Sequence, residues 1–432
     1  MSNDDFAALV RPDRVHGSIY TSPAVFQAEM ERIYHRTWVC VGHESEIPGA
    51  GQYRATRIGR QSVIMVRGDD GQVRVLMNRC RHRGITLAQE ETGTRRNFVC
   101  AYHGWAFDNQ GALRTVPDRD GYPPEFRMED WGMTPAPRQG SYRGLVFASL
   151  AASGPSLDEH LGKAKPYMDI FFDISPTGRL DANQGITKTF YQGNWKFVGM
   201  DGYHPHVVHN TFFATMQRRL EAQGVKRGAN SARGGTWGDA AGNVTRDLGN
   251  GHVLLDVYPE RKREYADWLA YKMKQPGFAA YYQRMVEAYG QERADEVFTW
   301  DGDPHMGIFP NLQLIQSQIR IVRPLAADRT EVLMLPTALQ DVPESVNLQR
   351  LRRHEDFYGP SSHGSPDDAE VFERNQEGLS AEVDPWVYLA RGLHRERTEA
   401  DGTIVGEITD ETSQRGQLRQ WRALMAVAPA AA

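Results

Sequence analysis

The feature that most constrains this chain is a pair of short segments that each carry one cysteine and one histidine. Cys80-Arg81-His82 has the pattern C-x-H, and Cys100-Ala101-Tyr102-His103 has the pattern C-x-x-H. Thiolates and imidazoles are the side chains that bind soft and borderline metal ions. Two such segments within one stretch of sequence therefore predict a pair of metal-binding loops.

Two kinds of metal centre use two cysteines and two histidines. In a Rieske [2Fe–2S] cluster two histidines replace two cysteines on one iron, whereas a structural zinc site surrounds one ion tetrahedrally. Zinc sites favour C-x₂₋₄-C with H-x₃₋₅-H, but here each segment mixes the two ligand types. The spacing therefore favours a Rieske cluster bound by Cys80, His82, Cys100 and His103, with zinc as the alternative.

Length and composition narrow the class of protein. At 432 residues the chain is long enough for two or three domains. The net charge of -5, without a basic block, argues against a nucleic-acid partner. No apolar run reaches the length of a membrane span and residues 1–5 are polar, so we expect a soluble cytoplasmic protein. With 3 Cys a disulfide framework is excluded, and Cys40 is expected to be buried.

Hydrophobic spacing and turn residues predict an α+β chain. Ser22-Pro23 predicts the start of a helix over about residues 23–36. Residues 39–155 are β-rich, contain both metal-binding segments and end in a Gly/Pro/Ser linker. Farther on, strands over 312–323 and 330–335 predict an antiparallel pair, flanked by helices near 265–273, 281–289 and 369–379. We expect an N-terminal helical segment (1–38), an all-β domain (39–155) and an α+β domain (156–432).

A second constellation follows Asn194-Trp195-Lys196. Within a few positions the chain places Asp201, His204, His206 and His209. Pro205 disfavours helical backbone at His204, so the chain is expected to bend there and bring the imidazoles together. Two histidines and a distant carboxylate form the facial triad of non-haem Fe(II) oxygenases. The plain alternative is a set of ordinary surface or core histidines.

Taken together, the two constellations resemble the catalytic α subunit of Rieske non-haem iron aromatic-ring-hydroxylating oxygenases. The similarity covers nearly the whole chain, and its motifs are Cys80–Gly84, Cys100–Trp105, Asn194–Lys196 and Asp201–His209. It implies an all-β Rieske domain followed by a helix-grip-like catalytic domain with an antiparallel sheet. It also implies a mononuclear Fe(II) in the catalytic domain, in addition to the cluster.

The resemblance also implies the iron ligands. His204 and His209 match the family's histidines, and a downstream Asp completes the set; Asp368 is favoured by its offset to Glu373 and Gln376, with Asp367 as the alternative. His206 is a potential competitor for the metal. One departure concerns residues 198–200, where the chain is shorter and lacks the Glu-Asn pair that family members commonly carry. Side-chain contacts of that pair are therefore not expected in this chain.

Electrons for O₂ chemistry have to come from outside the chain. Gly249-Asn250-Gly251-His252 lacks the third glycine of a dinucleotide-binding loop, so no flavin or nicotinamide site is expected. By resemblance, a separate reductase, with or without a ferredoxin, relays electrons from NAD(P)H. The family typically cis-dihydroxylates an arene, and some members are monooxygenases or demethylases. Rival classes are a Rieske electron carrier and a zinc-stabilised binding protein.

The resemblance extends to assembly and substrate. Asp201 resembles the family's bridging aspartate, which would link His204 to His103 of the partner subunit. That role implies a ring of at least three chains, α₃ or α₃β₃ with a small β subunit. Residues 385–394 and 411–416 look more like the branch that acts on aromatic carboxylates, and such a substrate would require an Arg in the pocket.

Overall fold

The computed structural model describes residues 6–201, 222, 242–362 and 364–426, and for residue 201 the backbone alone. The chain forms two compact units, Tyr34–Leu157 (the small unit) and Met1–Ile33 with Asp158–Ala432 (the large unit). Across the described ranges, no helix combines the length and apolar character needed to cross a membrane.

The N-terminal segment of the large unit contains the predicted helix. Its elements are β1 (Val10–Arg11), β2 (Arg14–His16), α1 (Ser18–Thr21) and α2 (Pro23–Glu29). The Ser22 side chain accepts a hydrogen bond from the Val25 N–H, and Pro23 occupies the first helical position, as predicted. From Met30 to Tyr34 the backbone widens into a π-helical turn, so the regular helix is shorter than predicted.

The small unit is built from short antiparallel strands, which confirms the all-β expectation. Three sheets have the strand orders β11-β12-β3, β6-β5-β4-β7 and β10-β9-β8. Their core includes Tyr53, Phe98, Trp105 and Phe107, each 2 % exposed or less. The strands are β3 (Val39–His43), β4 (Gln52–Ile58), β5 (Gln61–Arg67), β6 (Val73–Met77), β7 (Thr92–Thr94), β8 (Asn97–Val99), β9 (Ala106–Asp108), β10 (Leu113–Thr115), β11 (Arg138–Tyr142) and β12 (Leu145–Ser149).

The rest of the large unit combines helices with antiparallel strands. Its helices are α3 (Leu157–Leu161), α4 (Lys165–Asp173), α5 (Tyr258–Lys272), α6 (Phe278–Tyr289), α7 (Gln291–Trp300), α8 (Glu344–Tyr358), α9 (Ser365–Gly378) and α10 (Thr412–Met425). Its strands are β13 (Leu180–Asp181), β14 (Thr187–Tyr191), β15 (Val244–Gly249), β16 (His252–Asp256), β17 (Met306–Ile308), β18 (Leu312–Ile315), β19 (Gln318–Ala326), β20 (Arg329–Pro336), β21 (Ala338–Leu339), β22 (Trp386–Tyr388), β23 (Arg397–Thr398) and β24 (Ile404–Glu407).

Nine of these strands form one antiparallel sheet in the order β14-β20-β19-β18-β17-β16-β15-β24-β23. The predicted pair of strands forms the hairpin β19–β20, next to the edge strand β14. One prediction was wrong, because residues 312–323 are not a single strand. The chain turns at Gln316, whose φ is 52° and whose N–H donates to Asp303 Oδ1 at 2.8 Å. That turn separates β18 from β19, and the two strands pair with each other in antiparallel orientation.

Helices that contact this sheet position the site. The helices α8 and α9 follow β20 and β21, and α9 contacts β14 at the sheet edge. A second π-helical turn, Phe197–Asp201, follows β14. The C-terminal helix α10 contacts both that turn and the strands β15 and β16. The apolar core therefore holds the segment that leads to the predicted histidines.

Candidate active site

The two metal-binding segments of the small unit form two loops with the same backbone hydrogen bonds. The Cys80 N–H donates to the Ile85 carbonyl at 2.8 Å, and the Gly84 N–H donates back to the Cys80 carbonyl at 3.0 Å. The second loop repeats these two bonds at the same distances, from Cys100 to Trp105 and from Gly104 to Cys100. Each glycine has a positive φ, 83° and 68°, which closes the loop four residues after its cysteine.

The loops bring the four predicted ligands together. Cys80 and Cys100 are buried, and the ring centroids of His82 and His103 lie 4.7 Å apart. Burial raises the pKa of the Cys80 thiol, opposed by the backbone N–H of His82, and the adjacent Cys100 thiol raises it further. Thiols bind metals as thiolates, and a buried thiolate is stabilised by a bound cation.

The donor set fits a two-iron cluster. The buried His82 Nδ1 has no hydrogen-bond partner among the described residues, which leaves that nitrogen for a metal. Each loop supplies one cysteine and one histidine, and each iron of a Rieske cluster takes only two protein ligands, whereas a structural zinc ion takes four.

The second constellation is only partly within the described residues. His204, His206 and His209 lie outside them, as does the Asp201 side chain. The downstream carboxylate, however, is described. Asp368 lies in the first turn of α9 and lines a cleft against β14, β19 and β20. The cleft is also lined by Val198, which lies in the π-helical turn Phe197–Asp201.

Asp368, rather than its neighbour Asp367, faces this cleft. Burial raises the pKa of the Asp368 carboxyl to about 6, opposed by the positive charge of Arg320 and reinforced by Asp367. A carboxylate that burial destabilises is stabilised by a bound cation, so Asp368 fits a metal site.

Helix α9 is tied to the turn before the Asn194-Trp195-Lys196 motif. Glu373 Oε1 accepts a hydrogen bond from the Gln192 N–H at 2.8 Å, and Gln376 Oε1 accepts one from the Asn194 N–H at 3.0 Å. Glu373 and Gln376 are the residues whose sequence offset to Asp368 favoured Asp368 over Asp367 as the predicted iron ligand. They fix the helix that carries Asp368 against the segment that leads to Asp201.

Sequence reasoning missed the residue that explains this motif. Glu29 of α2 is fully buried and accepts hydrogen bonds from Lys196 Nζ at 2.6 Å, Trp195 Nε1 at 2.9 Å and Trp421 Nε1 at 2.7 Å. The N-terminal helix, the motif and the C-terminal helix therefore meet at one carboxylate. An acidic residue within the apolar face of α2 was the available signal.

A second missed residue is Arg320 of β19, which lines the cleft with Asp368. It is 8 % exposed, and its Nη1 donates to Gln313 Oε1 at 3.2 Å. The Gln313 amide in turn donates to the Val198 carbonyl in the π-helical turn. A charged residue between the apolar residues Ile319 and Ile321 of a buried strand was the available signal. The cleft is thus lined by one cation, Arg320, and one carboxylate, Asp368.

Family models match both parts of the chain. Residues 37–126 match the Rieske [2Fe-2S] domain, and residues 173–398 match the ring hydroxylating alpha subunit (catalytic domain). The chain belongs to the ring-hydroxylating α-subunit family. This ring-hydroxylating α subunit is therefore an oxidoreductase that uses O₂ and reductase-derived electrons to hydroxylate an aromatic ring. Its cofactors are a Rieske cluster and a mononuclear iron, which excludes the electron-carrier and zinc alternatives.

Proteins of known name are similar in sequence to this ring-hydroxylating α subunit over most of its length. It is 34% identical over 391 residues to the 2-halobenzoate 1,2-dioxygenase large subunit of Burkholderia cepacia, covering 88% of this chain and 80% of that one. It is 32% identical over 393 residues to the anthranilate 1,2-dioxygenase large subunit of Acinetobacter baylyi, covering 88% and 81%. Such relatives are multimeric oxygenases that work with a reductase.

The fold of this ring-hydroxylating α subunit also matches solved structures. A naphthalene 1,2-dioxygenase bound to phenanthrene aligns with a TM-score of 0.81 at 23% identity, covering 99% of this chain and 96% of that one. This likeness confirms the α+β, helix-grip-like architecture with its antiparallel sheet.

Proposed function

We propose that this α subunit hydroxylates an aromatic carboxylate and that Arg320 binds the substrate's carboxylate group. The observation that carries the proposal is a buried cation in the same cleft as Asp368. Among the described residues, Arg320 forms no ion pair within 4 Å and its buried Nε lacks a hydrogen-bond acceptor. A buried guanidinium without an anion is costly, and a carboxylate matches its planar fork of donors.

The relatives support the same substrate class. Beside the 2-halobenzoate and anthranilate enzymes, the chain is 34% identical over 394 residues to the toluate 1,2-dioxygenase subunit alpha of Pseudomonas putida. All three relatives are named for dioxygenation of an aromatic carboxylate. In the present chain, Gln313 holds Arg320 in place by accepting from its Nη1. The anchored ring would then lie between Arg320 and the Asp368 wall.

The residues that would hold the metals are proposed as follows. Cys80, His82, Cys100 and His103 hold the Rieske cluster; His204, His209 and Asp368 hold the mononuclear iron. When bound, this iron provides open positions for O₂ beside the substrate ring. Arg320 orients the ring, and the apolar walls Val332 and Phe372 exclude water from the cleft.

Asp201 and the assembly belong to the same proposal. Asp201 would accept hydrogen bonds from His204 and from His103 of the partner subunit and so couple the two metal centres between chains. Such a head-to-tail contact closes as a ring, which supports α₃ or α₃β₃. A ferredoxin between reductase and oxygenase, and the cytoplasmic location, stay predictions.

The experiment compares an aromatic acid with its neutral analogue. Anaerobic calorimetry would measure the Kd of benzoate and of benzamide for the purified oxygenase and for Arg320→Met. We expect Arg320→Met to weaken benzoate binding roughly a hundredfold, since truncating one partner of a buried charge pair costs about 2–5 kcal/mol. Benzamide binding should change little.

Arg323→Met is the matched control. Arg323 is a buried arginine on the same strand, but it is paired with Glu331 at 3.1 Å rather than facing Asp368. Its removal should leave the ratio of the two Kd values unchanged. If Arg320→Met binds benzoate as tightly as the wild type, the carboxylate proposal is wrong. Product analysis under ¹⁸O₂ separates a cis-diol with two labelled oxygens from a monohydroxylated product with one.

A further inference from the structure

A second cavity, here called the helix cavity, lies in the large unit. It has a volume of about 100 Å³ and is lined by residues of α5, α6, α7 and α8, together with the turn between β18 and β19. No described residue lines both the helix cavity and the cleft that contains Asp368. The aromatic-acid site proposed above therefore does not account for this cavity.

Part of the lining forms an aromatic wall. Trp268, Phe278, Tyr281 and Phe298 line the helix cavity. The Phe278 ring centroid lies 5.7 Å from that of Trp268 and 5.4 Å from that of Phe298, so the rings pack against one another. The Tyr281 hydroxyl, the polar atom of this wall, donates to the Ile174 carbonyl. The wall therefore offers hydrocarbon surface in a fixed arrangement, which favours a ligand with an apolar part.

Both acidic residues of the helix cavity have cationic partners within the protein. Asp301 pairs with Arg353 at 2.9 Å, and Asp303 pairs with Arg261 at 3.2 Å. Asp303 Oδ1 also accepts hydrogen bonds from two backbone N–H groups, at 3.0 Å and 2.8 Å. A metal ion or an amine would therefore find no unpaired carboxylate here.

Arg350 of α8, which also lines the helix cavity, is a cation without an anion. Its Nε donates to the Thr337 carbonyl and its Nη2 to the Thr337 hydroxyl, both at 2.9 Å. Among the described residues Arg350 forms no ion pair, and its Nη1 makes no hydrogen bond. Burial lowers the pKa of Arg350 to about 10, and Tyr281 and Asp301 oppose this shift. A bound anion would stabilise the charged guanidinium.

The Arg350 side chain is held in place for such an anion. The Thr337 hydroxyl that accepts from Nη2 donates in turn to the Ser317 carbonyl at 2.8 Å, and Thr337 is fully buried. Arg350 is thereby fixed to the turn between β18 and β19. Because Nε and Nη2 are held by Thr337, Nη1 is the guanidinium nitrogen left for a ligand.

We propose that the helix cavity binds a small aliphatic monocarboxylate, with its carboxylate paired to Arg350 and its hydrocarbon chain packed against the aromatic wall. One unpaired cation matches one negative charge, and the aromatic wall disfavours a strongly hydrated anion such as phosphate.

The volume of the helix cavity limits the ligand. A cavity of roughly 150 Å³ accommodates benzene, so the present volume of about 100 Å³ suits an open chain of about four to six carbons better than a ring. The site does not depend on the aromatic carboxylate proposed for the Asp368 cleft, since the two share no described residue.

Anaerobic calorimetry on the purified oxygenase tests this assignment with pentanoate, 1-pentanol and inorganic phosphate. We expect pentanoate to bind, and we expect 1-pentanol and phosphate to bind about tenfold more weakly or worse, because the alcohol lacks the charge and phosphate lacks the chain. Arg350→Met should weaken pentanoate binding by about tenfold or more. Val346→Phe keeps the arginine but fills part of the cavity, so it should cause a similar loss.

The matched control is Arg352→Met, which removes an exposed arginine of the same helix. Arg352 does not line the helix cavity, so this change should leave the Kd of pentanoate within about twofold of the wild-type value. Arg320→Met, which alters the Asp368 cleft, should leave it unchanged as well. Visible absorbance and the melting temperature verify that each variant is folded.

Three results would overturn the assignment. The first is the absence of pentanoate binding to the wild type, or binding that survives both Arg350→Met and Val346→Phe. The second is loss of pentanoate binding in Arg320→Met but not in Arg350→Met, which would place the acid in the Asp368 cleft. The third is an equal Kd for pentanoate and phosphate, which would identify a general anion site without a role for the aromatic wall.

Discussion

Replacing Glu29 by Gln tests whether one buried carboxylate holds three distant parts of the large unit together. Glu29 and Lys196 are both 0 % exposed and 2.6 Å apart. Breaking a buried ion pair from one side leaves the other charge unpaired and costs about 3–5 kcal/mol. Since a whole domain is stable by about 5–15 kcal/mol, Glu29→Gln should remove a large fraction of the free energy of unfolding of the large unit.

Substituting the partner residue, Lys196, alone and together with Glu29 makes this test more specific. Lys196→Met should also cost about 3–5 kcal/mol, because it leaves the Glu29 carboxylate without a cation. Glu29→Gln combined with Lys196→Met should cost less than the sum, since no charge is then left unpaired and the Gln amide oxygen can still accept from one of the two indole N–H groups, that of Trp195 or that of Trp421.

Urea unfolding followed by far-UV circular dichroism measures these free energies, while the visible absorbance of the cluster reports the small unit separately. The matched control is Glu31→Gln, two residues farther along the chain and not bonded to Lys196, Trp195 or Trp421. Its free energy of unfolding should stay within about 0.5 kcal/mol of the wild-type value. A loss below about 1 kcal/mol for Glu29→Gln, or a double variant as unstable as the sum of its parts, would refute the reasoning.

Three further changes test the proposed metal sites. Cys80→Ser should bleach the visible absorbance and remove the EPR signal of the reduced cluster; full iron and sulfide content with unchanged colour would contradict that ligand assignment. Asp368→Ala should keep a reducible cluster but lose mononuclear iron and product, whereas normal turnover in Asp368→Ala with loss in Asp367→Ala would identify the neighbour as ligand. Asp201→Asn should retain both metals yet slow single-turnover reoxidation of the cluster by orders of magnitude; wild-type reoxidation and product formation would exclude a bridging role.

Local sequence determined the parts of this protein whose physics is local. The cysteine–histidine loops need only a ligand pair and a glycine four residues after the cysteine, and both loops form as the spacing predicts. The start of α2 needs only a Ser22 cap and Pro23. The hairpin of β19 and β20 needs only apolar strands and a short turn. The break at Gln316 was missed because it depends on a hydrogen bond to Asp303, which is distant in sequence.

Only the tertiary structure decided which polar residues work together. Glu29 binds Lys196, which lies 167 residues farther along the chain, and a lone Glu in a helix carries no signal of that partner. Arg320 is one of many arginines in the sequence; its place in the same cleft as Asp368 follows from the strand register and from the helix that Glu373 and Gln376 hold. Burial separates these residues from ordinary surface charges, because a buried charge requires a specific partner whereas a solvated one does not.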